Sequence, residues 1–128
     1  MMKTGERKAE TVEADFRART FAFAARTVRF VESLPSSATN RTLGLQLLRS
    51  ATSVGANARA AKRARSRAEF AAKMGIVEEE IDESSYWIEL LIELKKVKQE
   101  KVQLLLQEAN EILAITIASI KTTRRNAA

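Results

Sequence analysis

Residues 45–91 read LQLLRSATSVGANARAAKRARSRAEFAAKMGIVEEEIDESSYWIELL, and the fold turns on this stretch. In its first part Leu47, Leu48, Ala51, Val54 and Ala58 fall on one side of a helix, joined upstream by Leu43. In its last part Phe70, Met74, Val77, Ile81, Ser84, Ile88 and Leu91 alternate four and three residues apart, a register that continues to Lys95. That alternation is the seam of helices packed side by side. Between the two lies RAAKRARSR, with five cations in residues 59–67. Ser66 followed by Glu69 reads as a capping box that opens the later helix. The stretch is therefore helix, basic break, helix.

Working outward, a first helix is expected from about Asp15, a good N-cap, to Ser33. Phe16, Thr20, Phe23, Thr27, Phe30 and Leu34 form its stripe, widened by Phe21, Val28 and Val31. Pro35 ends it, because proline disfavours helical geometry in the residue before it. The second helix is expected from Thr39 or Asn40. Gly55 inside it costs about 1 kcal/mol against alanine, which points to close backbone approach or a local bend. Downstream, Lys95 to Lys98 bring cations to the C-terminal dipole of the third helix. A fourth helix from about Gln99 carries Val102, Leu105, Leu106, Ala109, Ile112, Leu113, Thr116, Ile117 and Ile120, then fades from Lys121. Four amphipathic helices with short connections predict an all-α, up-down-up-down four-helix bundle. A flexible N-terminal segment over 1–14, the bundle over 15–122 and a flexible basic tail over 123–128 follow. Phe21, Trp87, Leu104 and Ile115 lie off the main seams, a surplus suited to contact with another subunit.

The chain has 128 residues, one proline and four glycines, enough for one domain with a core of its own. It contains no cysteine and no histidine, which excludes disulfides, thiolate metal sites and the commonest general base. Carboxylates concentrated on one helix, without histidine, do not make a bundle metal centre. Gly44, Gly55 and Gly75 are isolated, so no phosphate-cradling loop exists. Ser50 and Ser53 lack a general base. No catalytic residue, metal or cofactor is expected. No apolar run is long enough for a bilayer, and the charged N-terminus is unlike a signal peptide, so a soluble cytoplasmic protein is expected.

Charge is unevenly spread. Residues 1–67 hold 14 lysines and arginines against 5 acids, whereas residues 68–128 hold 8 against 11. Such asymmetry suits an anionic partner or a self-complementary assembly. The cations Arg59, Lys62, Arg63, Arg65 and Arg67 form the strongest functional candidate, a ridge able to track phosphates by counterion release. Pairing of this ridge with the acidic run Glu78–Glu83, within or between subunits, is the competing reading. Aromatic residues are not interleaved with the ridge, which favours backbone or shape over base sequence. Gln46, Ser50, Ser53 and Asn57 share a face of the second helix, with Arg49 at its edge. A structural seam holding helices in register through partners such as Glu79 and Glu83 is expected, with a ligand site as the alternative.

The run Leu45-x-x-x-Arg49-Ser50-Ala51-Thr52-Ser53-Val54-Gly55-Ala56-Asn57 resembles the four-helix-bundle proteins first noticed in intervening sequences of 23S ribosomal RNA genes. Leu34-Pro35 is similar to that family's first loop. Arg59-Ala60-Ala61-x-Arg63-Ala64-Arg65-Ser66-x-Ala68-Glu69-Phe70, Lys73 to Glu80, Asp82-Glu83 and Tyr86-Trp87 resemble one branch of it. The resemblance covers about residues 16–120 and implies an antiparallel bundle assembled as a homopentamer, without implying an activity. A related group, the accessory proteins of diversity-generating retroelements, comprises basic pentamers that bind a reverse transcriptase and RNA. The present chain departs from the branch at Ala58 and Lys62, where other members often carry an aromatic and a cysteine. It departs from the wider family at Ala60-Ala61, in place of Glu-Gly. The expected function is non-enzymatic binding of RNA or DNA backbone by a homo-oligomer. The alternatives are an adaptor that docks a reverse transcriptase and a purely self-assembling ring.

Overall fold

A computed structural model describes the backbone of residues 4–127 and the side chains of residues 15–126. The chain runs as α1 (Thr4–Glu32), α2 (Ala38–Lys62), α3 (Arg67–Glu93) and α4 (Gln99–Ala127). Each helix packs antiparallel to its predecessor, and α4 closes the bundle against α1 through the sparsest of the four contacts. The up-down-up-down bundle read from the sequence is the fold found.

The seams are buried as their spacing requires. Phe23, Leu47, Val54, Val77, Ile81, Ile88, Leu91 and Ile112 are wholly inaccessible to solvent. Thr20, Thr27 and Thr116 are equally buried. Their hydroxyls donate to the carbonyls of Arg17 (3.0 Å), Phe23 (2.8 Å) and Ile112 (2.7 Å) of their own helices. A hydroxyl satisfied this way presents its methyl to the core and leaves no orphaned donor.

The helix ends differ from expectation in instructive ways. α1 is helical from Thr4 rather than Asp15, because the upstream glutamates, lysine, arginine and alanines are strong helix formers with no proline to stop them. α4 continues to Ala127 instead of fading at Lys121, again without a breaker. The flexibility expected of segment 1–14 lies outside the described residues for 1–3, and that of the tail for residue 128. α2 starts one residue before the earliest expected position. Ser37, in extended conformation, accepts a hydrogen bond from the Asn40 amide at 3.0 Å. Asn40 instead turns its Nδ2 to the Pro35 carbonyl at 2.8 Å and braces the α1–α2 turn from within. Ser66 caps α3, accepting from the Glu69 amide at 3.0 Å. The Glu69 carboxylate accepts from the Arg65 amide at 3.3 Å, one residue before the position a capping box requires.

α3 ends at Glu93, before the cations expected to terminate it. Lys95 occupies the left-handed region, with φ of 56°. Lys96 N–H donates to the Leu91 carbonyl and Lys95 N–H to that of Ile92, both at 2.9 Å. This is a Schellman stop built on lysine where glycine is usual. Gly55 does mark a close approach: a Cβ there would lie 3.4 Å from the Thr20 carbonyl oxygen of α1.

Candidate nucleic-acid interface

The α2–α3 turn is short, and that shortness assembles the basic groups. Arg63 and Ala64 amides donate back to Ala60 and Ala61 carbonyls at 3.1 Å, finishing α2 before Ser66 starts α3. The last turn of α2 and the first turns of α3 thus form a single surface groove. Arg59, Arg63, Arg65 and Lys73 stand around it, with Ala56, Ala60 and Glu69 completing the wall. Small side chains from α2 keep the groove open, and all three arginines are exposed. Lys73, missed in the sequence reading, lies one helical turn after Glu69, where i,i+4 neighbours share a face.

The predicted ridge is therefore divided. Arg59, Arg63 and Arg65 meet in the groove. Lys62 is exposed but does not line it. Arg67 is directed to the far end of α4, where its Nη1 donates to the Asn126 carbonyl at 2.6 Å. Among the described residues, ion pairs form only at Arg19 and Arg49, and none of the groove cations pairs with a described carboxylate.

The polar seam divides in the same manner. Ser50 and Ser84 are fully buried, and the Ser84 hydroxyl reaches Ser50 Oγ at 2.8 Å across the α2–α3 contact. Ser50 donates to the Leu47 carbonyl at 3.1 Å, and the Glu80 carbonyl is a second acceptor for Ser84 at 2.9 Å. Asn57 Nδ2 donates to the Ser53 carbonyl at 2.9 Å and to Ser53 Oγ at 3.0 Å, bonds that stay within α2. Gln46 and Glu79 are exposed. Glu80, not Glu79, joins Glu83 in holding Arg49: Nη1 donates to Glu80 Oε2 at 3.2 Å and Nη2 to Glu83. Glu83 also accepts from Trp87 Nε1 at 3.3 Å. The hydrogen bond from Arg49, aided by that from Trp87, holds the Glu83 carboxyl below the usual carboxylate range. Arg49 is correspondingly raised, chiefly by its bond to Glu83.

A second ionic clamp escaped sequence reading. Arg19 of α1 donates to Glu108 (3.1 and 2.6 Å) and to Glu111 (2.7 Å) of α4. The Arg19 hydrogen bond pushes the Glu108 carboxyl down and raises the guanidinium. Glu108 and Glu111, three apart, share a face of α4, but nothing local points from them to residue 19.

The surplus apolar surface is real but redistributed. Phe21 is 74% exposed and Leu104 70%, whereas Trp87 packs half-buried against the core. Ile115 is also half-buried. Leu45 and Tyr86 are exposed as well, and Tyr86 stands edge-on to Trp87 with centroids 4.9 Å apart. Among the described residues no helix is long and apolar enough to cross a membrane, and no cluster of metal-ligating side chains occurs.

These features can be set beside known proteins. No curated protein matches the chain. A solved structure of a protein of unknown function from the S23 ribosomal protein family of Bacteroides thetaiotaomicron is 35% identical. The likeness covers 83% of this chain and 98% of that one, with a TM-score of 0.78. The family described as 23S rRNA-intervening sequence protein matches over residues 13–118. With that match spanning all four helices, the chain belongs to the 23S rRNA-intervening sequence protein family.

Proposed function

We propose that this chain is a non-enzymatic, homo-oligomeric bundle that binds the RNA or DNA backbone through the groove at its α2–α3 end. A pentamer is the assembly the family resemblance implies; the cytoplasm is the compartment proposed alongside it. The observation that carries the reading is the convergence of Arg59, Arg63, Arg65 and Lys73 on one groove, with no ion pair to a carboxylate among the described residues. Four cations against the single groove carboxylate Glu69 leave an excess of positive charge on one open surface, and a polyphosphate backbone supplies anions at regular spacing. Repetition around a ring multiplies weak contacts into useful avidity. The absence of cysteine and histidine from the chain supports a binding role over a catalytic one.

Mass in solution, measured by light scattering with a mixed RNA pool at low and high salt, tests this. An oligomer that gains RNA mass only at low salt, and an Arg59/Arg63/Arg65→Ala variant that gains none, is the expected result. Arg67 is spared because it holds α4. An oligomer that ignores RNA points instead to a protein partner such as a reverse transcriptase, and a variant whose ring dissociates points to self-assembly. Self-assembly draws support from the outer face of α3, where Glu79, Asp82, Glu89 and Glu93 are exposed alongside Tyr86.

A further inference from the structure

A second groove adjoins the first. Arg17, Ala18 and Phe21 of α1 face Gly55 and Arg59 of α2 across a shallow cleft of about 380 Å³. Arg59 lines both grooves, so the two form one path from α1 across α2 to α3. Phe21, at 74% the most exposed large apolar side chain among the described residues, shares the second groove with both arginines. Gly55 and Ala18 offer no bulk that would cover the ring. The tight α1–α2 approach at Gly55 is what brings Phe21, distant in sequence, to the basic groove.

An exposed aromatic ring sharing a cleft with guanidinium groups and continuous with a cationic groove has the make-up of a single-strand binding surface. A flat π-face accepts an unpaired base, while arginines in the same cleft take the neighbouring phosphates. A duplex keeps its bases stacked inside and cannot use the ring. An apolar protein partner would use Phe21 but has no need of Arg17 and Arg59 beside it; a polyanion needs them. We infer that Phe21, in one groove with Arg17 and Arg59, is a stacking platform for an unpaired base, so that the ligand of the basic groove is a single-stranded polynucleotide. This inference rests on the nucleic-acid reading above and narrows its substrate class.

The test is fluorescence anisotropy of the full chain with labelled oligouridylate, oligothymidylate and an RNA duplex of equal length, at low salt. The expected result is tighter binding of a single strand, RNA or DNA, than of the duplex. Phe21→Ala should weaken single-strand binding about tenfold, leave duplex binding and the solution mass unchanged, and be rescued by Phe21→Trp. Equal affinity for single strand and duplex, or a Phe21→Ala variant that binds oligouridylate and oligothymidylate as the parent does, overturns the stacking role. Such a result leaves the phosphate-binding groove standing, provided Arg59/Arg63/Arg65→Ala still abolishes binding. A fall in solution mass in Phe21→Ala assigns the ring to a contact between copies and also overturns it. Failure of the parent chain to bind any of the three probes removes both readings.

Discussion

The Ser84 hydroxyl lies 2.8 Å from Ser50 Oγ, joining α3 to α2 where both side chains are fully buried. Each serine also has a carbonyl of its own helix as a partner, Leu47 for Ser50 and Glu80 for Ser84. Removing either hydroxyl therefore leaves no stranded donor. Ser50→Ala and Ser84→Ala should each cost about 1 kcal/mol, and the double variant less than their sum, by about 0.5–1 kcal/mol. A double-mutant cycle by urea unfolding checks this; strict additivity would mean that the serines do not interact.

Glu83 and Glu108 make stability depend on acid. Both carboxyls are held below their ordinary values, mainly by hydrogen bonds from Arg49 and Arg19. A group whose folded pKa is depressed contributes stability that is complete above the unfolded value, about 4.3 for glutamate, and lost as pH falls through the folded one. Unfolding free energy should accordingly fall as pH drops below about 4.3, with a shallower fall in Arg19→Met and Arg49→Met variants. Urea titrations followed through Trp87, the sole tryptophan and a donor to Glu83, give the readout. Unchanged acid dependence in both variants would show the clamps to be energetically idle.

Lys95 pays the steric cost of a left-handed residue at the end of α3. Lys95→Gly keeps both Schellman bonds, which are made by backbone, and relieves that strain. It should stabilise the bundle by about 0.5–1 kcal/mol in thermal or urea unfolding. A loss of stability would show the lysine side chain to be a necessary contact.

Gly75 and Gly44 should respond differently to alanine. A Cβ at Gly75 meets no atom within 4 Å, so Gly75→Ala should gain roughly 0.5–1 kcal/mol of helix propensity. At Gly44 it would stand 3.0 Å from Val31 Cγ1, and the strain should cancel much of that gain. Comparison of the two melting temperatures decides the order.

Arg67 and Arg63, neighbours in the basic run, should separate in function. Arg67 donates to the Asn126 carbonyl in the last turn of α4. Arg67→Ala should speed amide exchange at that end, where capping groups of this kind contribute about 0.5–1 kcal/mol, and weaken RNA binding less than Arg63→Ala does. Equal losses of RNA binding would return Arg67 to the groove.

Four helices and their antiparallel order could be read from residues 45–91 and their flanks because burial follows a period that the chain itself carries. Met74, Val77, Ile81, Ile88 and Leu91 need no partner's identity to declare which face goes inward. Gly55 likewise announced a close approach or a bend, and Ser66 a helix start, since backbone sterics and orphaned amides are local matters. The basic run could be located, but its division could not. Whether Arg63 faces a groove and Arg67 the end of α4 depends on where a fourth helix terminates, almost sixty residues later. Glu80 rather than Glu79 meeting Arg49 depends on the rotation of α3 against α2, which a run of adjacent glutamates leaves open. Arg19 with Glu108, and Phe21 with Arg59, are juxtapositions of residues far apart in the chain. Periodicity determined which surfaces had to meet; only packing decided which individual polar and aromatic groups those meetings brought together, because side-chain pairing depends on helix rotation and axial offset, and neither has a local signature.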